Sequence, residues 1–64
     1  MKIKVNKIKC KNCGEIIESK SIHDFVWCKC GNCAVDGGKS YIKRCFAADL
    51  DPKEAFEELS EYYI

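Results

Sequence analysis

Residues 10–14 read Cys-Lys-Asn-Cys-Gly and residues 28–33 read Cys-Lys-Cys-Gly-Asn-Cys. Two residues between thiols let both sulfurs face one ion while the intervening backbone N–H groups point at them, which is half of a tetrahedral zinc site. Gly14 supplies the positive φ that such a turn tends to need just after its second thiol. The second turn offers three thiols for two places. Cys28 with Cys30 puts Gly31 just after the second sulfur and repeats the arrangement around Gly14. Cys30 with Cys33 has the commoner two-residue spacing but places Ala34 where the first turn has glycine. The glycine favours Cys10, Cys13, Cys28 and Cys30, with Cys33 as the alternative fourth ligand. Four thiols permit a closed, structural site, whereas catalytic zinc keeps one position open.

The rest of the chain explains why such a staple is needed. It has 64 residues, six of them cysteine. A chain below roughly 70–80 residues seldom buries enough apolar surface to offset its ordering entropy, so a metal or cross-links must assist. At this length a single domain over residues 1–64 is expected. Hydrophobic residues at 47% argue against disorder, and charged residues at 33% with no run of five apolar residues argue against a membrane span. Residues 1–20 carry lysines or glutamates throughout and hold no apolar export segment. The expected compartment is therefore the cytoplasm, where thiols stay reduced and are free to bind metal.

Outward from the two turns, Ile3 and Val5 alternate with Lys2 and Lys4 as a short strand. Ile8 has the wrong parity to share a face with Val5, so a turn or bulge is expected at Asn6-Lys7. Ile8 to Cys10 leads into the first cysteine turn and Glu15 to Glu18 leads out. Phe25-Val26-Trp27 leads into the second turn and Ala34-Val35 leaves it. Asp36-Gly37-Gly38 signals a hairpin, and Ser40 to Phe46 reads as its returning strand. The period then changes. Asp51, Pro52 and Glu54 form an acidic capping box, and Ala55, Phe56, Leu59, Tyr62 and Tyr63 recur at helical spacing. An acidic amphipathic helix over residues 51–63 is expected, docked on a zinc-binding β body over residues 1–46.

Net charge is +1, but it is unevenly spread. Residues 1–44 hold ten Lys or Arg against four Asp or Glu; residues 45–64 hold Lys53 against six acids. The Lys-rich N-terminal strand could track phosphates, although alternating lysines also keep an edge strand from pairing. Phe25, Trp27, Tyr41 and Phe46 are expected in the core, because a domain this small needs its large residues inside. The competing reading makes them a stacking platform for nucleic acid. His23-Asp24 beside Ser19 and Ser21 reads as a loop pinned by hydrogen bonds, since one histidine with no oxyanion site makes no catalytic set. Cys45 reads as a small core filler more readily than as a reactive thiol.

The stretches KCKNCGEIIESKSIHDFVWCKCG and AVDGGKSYIKR resemble a family of very small, uncharacterised zinc-ribbon proteins of bacteria and their phages. The resemblance spans roughly residues 1–46 and returns at residues 58–61. It implies Cys10, Cys13, Cys28 and Cys30 as ligands and departs from the family pattern at Cys33 and Lys43. It assigns no activity. A phage-like membership implies an accessory protein that modulates a host system, including a defence system, by occupying a surface.

Together these readings predict an α+β miniprotein. It is a small zinc ribbon of two cysteine-turn hairpins and a short antiparallel sheet, with one C-terminal helix and one structural zinc ion per chain. The expected role is a non-enzymatic binding module. A protein partner is preferred, and a nucleic-acid partner engaged through the Lys-rich N-terminal strand is the alternative.

Overall fold

A computed structural model describes residues 2–64. Eight short strands and one helical turn come in the order β1 (Lys2–Val5), β2 (Lys7–Cys10), β3 (Ile16–Glu18), β4 (Val26–Trp27), β5 (Cys33–Asp36), β6 (Lys43–Phe46), α1 (Pro52–Ala55), β7 (Phe56–Glu58) and β8 (Glu61–Tyr63). They make three small antiparallel sheets, β1-β8, β3-β2-β7 and β4-β5-β6.

The N-terminal strands form as their alternation predicts. Ile3, Ile8 and Cys10 point inward while Lys2, Lys4 and Lys9 face solvent. Chain parity flips at Asn6, between β1 and β2, where the sequence pattern breaks. Asn6 is fully buried, and its Nδ2 donates towards three carbonyl oxygens, those of Asp36, Gly38 and Tyr41. Its Oδ1 accepts from Arg44 Nη1 at 2.7 Å. A buried amide costs several kcal/mol unless its donors and acceptors are matched, and here both ends are. Arg44 continues the network to the Glu58 carboxylate and the Ser60 hydroxyl.

The apolar core is small and rich in sulfur. Ile8, Cys10, Ile17, Cys28, Cys33 and Val35 are buried together, with Cys13, Val26, Phe46 and Phe56 packed against them. It lies where β2 and β3 meet β5.

Three expectations are corrected. The helix over residues 51–63 is one turn, Pro52–Ala55. Asp51 caps it through the expected capping box, with its carboxylate accepting from the Lys53 N–H. The chain then extends at Phe56 and becomes two strands. Cys10 pairs with Phe56, Lys9 with Glu57 and Ile8 with Glu58, while Ile3 pairs with Tyr62 and Lys2 with Tyr63. Pairing with β2 and β1 satisfies backbone groups that a short isolated helix would satisfy only marginally, so tertiary contact overrides local propensity. The strand expected over residues 40–46 begins at Lys43, because Ser40 and Tyr41 stay in the turn with their N–H groups on the Gly37 carbonyl.

The third correction concerns the aromatics. Only Phe46 packs on the core; Phe25, Trp27 and Tyr41 are exposed. Strand parity is the cause. Val26 and Cys28 turn inward, so Phe25 and Trp27 turn out. No helix among the described residues is long and apolar enough to cross a membrane.

Candidate metal centre

Both cysteine turns join two strands, and they are built alike. In the first, the Cys10 N–H donates to the Glu15 carbonyl at 2.9 Å and the Gly14 N–H to the Cys10 carbonyl at 2.8 Å. In the second, the Cys28 N–H donates to the Cys33 carbonyl at 3.0 Å and the Gly31 N–H to the Cys28 carbonyl at 2.9 Å. Gly14 and Gly31 adopt φ of 77° and 75°. A Cβ at either would meet nothing within 4 Å, so glycine is required there by conformation and not by space.

The turns bring Cys10, Cys13, Cys28 and Cys30 together, with all four sulfurs within 4.8 Å of one another. Cys28 Sγ lies 3.4 Å and Cys10 Sγ 3.6 Å from Cys30 Sγ. Four sulfurs at the usual zinc–sulfur length of about 2.3 Å stand about 3.8 Å apart along the edges of a tetrahedron. The cluster is close enough to hold a metal ion. Its first sulfur from each turn, Cys10 or Cys28, is buried, whereas Cys13 is half-buried and Cys30 exposed.

Cys33 lies outside this set. It occupies in the second turn the place that Glu15 occupies in the first, the residue whose carbonyl closes the turn. It is fully buried, and its thiol donates to Cys28 Sγ at 3.7 Å. Burial, and then the neighbouring Cys10 and Cys28 sulfurs, push the Cys33 thiol far up, so it stays a neutral donor. The opposite holds at Cys28. Burial works against its thiolate, but the Cys33 N–H and the Cys30, Cys10 and Cys33 thiols outweigh it and hold Cys28 at about 6. Cys10 is likewise lowered: burial opposes, and the Cys13 and Asn12 N–H groups prevail. At Cys30 the Asn12 side chain and the Asn32 N–H favour the thiolate, yet burial and the crowding of Cys28 and Cys10 leave the thiol raised. Four sulfurs this close cannot all carry charge alone, and a divalent cation is the counter-charge that lets them.

Asn12 and Asn32 were not singled out from sequence, although each sits inside a cysteine turn and supplies a donor to Cys30. Nor was Glu15, whose carboxylate accepts from the Lys29 N–H at 2.5 Å and clasps the second turn to the first. A polar residue within two positions of a ligand-type thiol is the signal for all three.

The other residues singled out from sequence lie elsewhere. His23 is exposed in a loop with φ 68°, outside the cysteine cluster. Asp24 pins that loop, accepting from the Lys20 N–H at 2.9 Å, while the Ser19 hydroxyl donates to the Asp24 carbonyl at 2.7 Å. Cys45 is half-buried on β6 opposite Ala34. The N-terminal lysines run beside acidic residues. Lys9 stands across from Glu57, Lys7 from Glu18 and Val5 from Glu61, so the acidic C-terminal segment lies alongside them.

No curated protein and no solved structure matches the chain. Residues 2–46, which hold β1 to β6 and both cysteine turns, match a family described as a domain of unknown function, DUF7695. The chain belongs to that family.

Proposed function

We propose that the chain is a non-enzymatic binding module whose scaffold is held by one structural zinc ion on Cys10, Cys13, Cys28 and Cys30. The observation that carries this reading is the convergence of four sulfurs from two turns of the same build, each ending in a left-handed glycine. All-sulfur coordination suits zinc, and four protein ligands leave no open position for substrate. The ion supplies what the small core lacks. Zinc binding in comparable modules is worth about 10 kcal/mol or more, above the stability of most small domains. The role left to such a scaffold is to present a surface to a macromolecule. The sequence resemblance supports a host protein as that macromolecule.

Metal analysis of the purified chain tests the first half of the reading. One zinc per chain is expected, with circular dichroism collapsing on exhaustive chelation and returning on zinc addition. Cys33→Ser should retain zinc at one equivalent. A metal-free chain that still unfolds cooperatively after chelation would sink the proposal.

A further inference from the structure

We propose that the exposed β4 edge of the β4-β5-β6 sheet binds single-stranded nucleic acid, with bases stacking on Trp27 and Phe25 and phosphates meeting Lys43. The inference rests on the scaffold reading above but assigns it a nucleic-acid partner in place of a protein, at a place other than the N-terminal strand.

The sheet has an inner and an outer face. Val26, Cys33, Val35 and Phe46 join the core, so the intervening positions turn outward. Trp27, Ala34 and Cys45 stand in one row across the three strands. Ala34 in that row is fully buried and Cys45 half-buried, so the accessible part of this face is the Phe25–Trp27 pair at the β4 edge. Phe25 is 41% and Trp27 53% exposed, with ring centroids 5.5 Å apart and planes at 42°. A protein with so few large residues would gain about 1.5–3 kcal/mol by burying each. Exposing two side by side is therefore a cost that needs a compensating use.

Charge identifies the use. Lys43 Nζ sits over the Phe25 ring, 5.9 Å from its centroid, and leaves Trp27 as the more open of the two rings. Asp36, opposite Lys43 in the ladder, is buried and accepts from the Tyr41 hydroxyl, and the ion pair among the described residues is Arg44–Glu58. The exposed charges between residues 19 and 43 are Lys20, Lys29, Lys39 and Lys43; Asp24 is half-buried on the Lys20 N–H. An exposed ring pair with a lysine ammonium against it can take a base on a π-face and a phosphate on the ammonium group. The acidic C-terminal strands lie along β1 and β2, in the other two sheets.

Trp27 is the single tryptophan, so its emission reports stacking directly. The zinc-loaded full chain is titrated with labelled oligo-dT and oligo-U of about 12 nucleotides, and with a duplex of the same length, at roughly 50 mM salt. Expected are quenching of Trp27 and rising anisotropy with the single strands, and much weaker binding of the duplex, whose bases are already stacked. Trp27→Ala and Phe25→Ala should each weaken binding about 10-fold or more. Lys43→Ala should flatten the log-affinity against log-salt slope by about 0.7. Lys9→Ala, facing Glu57, should leave affinity within about twofold.

Absence of oligonucleotide binding by folded, metal-loaded chain overturns the inference and leaves a protein as the partner. Equal binding of the duplex, or binding that survives the Phe25→Ala/Trp27→Ala double variant, overturns it too. Failure of the scaffold reading looks different, because it shows as missing zinc before any oligonucleotide is added.

Discussion

The two cysteine turns use the same hydrogen-bond closure and the same left-handed glycine, yet differ by one residue in thiol spacing. The first spaces its sulfurs by two residues and the second by one. What they share is a buried leading sulfur, a more exposed trailing sulfur, and a closing carbonyl five residues after the leading thiol. Backbone conformation is thus the common element and spacing the adjustable one. The residue carrying the closing carbonyl differs as well. In the first turn it is Glu15, whose carboxylate grips the second turn; in the second it is Cys33, whose thiol donates into the cluster. Glu15 thus supports the other turn through its carboxylate, whereas Cys33 supports the leading sulfur of its own turn.

The largest test of that likeness removes the leading sulfurs. Cys10→Ser or Cys28→Ser should abolish metal binding and leave a chain without cooperative thermal unfolding. Cys13→Ser or Cys30→Ser should weaken zinc affinity less, because the buried leading sulfurs stay in place. Competition with a chelator of known affinity ranks the four. Equal ranks would break the distinction between leading and trailing positions.

Acid comes next. The Cys28 thiol is lowered to about 6 from its ordinary 9.0, so its contribution to the fold is complete above the ordinary value and is lost as pH falls through about 6. Zinc binding also displaces protons from thiols that are neutral in the unfolded chain, up to about four decades of affinity per pH unit. Affinity measured between pH 8 and 5.5 should fall steeply with acid and never rise.

The glycines give a smaller and more symmetrical effect. Gly14→Ala and Gly31→Ala each place a Cβ in left-handed backbone with free space around it, so each should cost about 1–2 kcal/mol in zinc-loaded stability. Denaturant midpoints that shift for one and not the other would show that the turns are not equivalent. Cys33→Ala should cost a comparable amount, about 1–2 kcal/mol for the lost buried sulfur, with zinc stoichiometry unchanged.

Much of this was legible in residues close together in the chain. The glycine after each thiol pair singled out the four sulfurs that converge, because the turn is a local structure whose φ requirement is written in one residue. The capping box of Asp51 and Glu54 was equally local, and it forms. The segment after that box was not legible. Ala55, Phe56, Leu59, Tyr62 and Tyr63 fit a helical stripe, but the deciding partners are Cys10, Ile8 and Ile3, some forty-five to sixty positions away. A periodicity argument weighs only neighbours, and here distant strands outbid them. The exposed aromatics are misplaced for a related reason: Val26 and Cys28 take the inward positions around β4, and parity turns Phe25 and Trp27 out.

Asn6 carries a consequence for assembly. One amide nitrogen is aimed at three carbonyls of the 36–41 turn, and its oxygen at the guanidinium that grips the last strands. Slipping either end by a single residue would set oxygen against oxygen in a place sealed from water. The side chain thus works as a proofreader, tolerating one alignment of three remote segments and rejecting its near neighbours during folding.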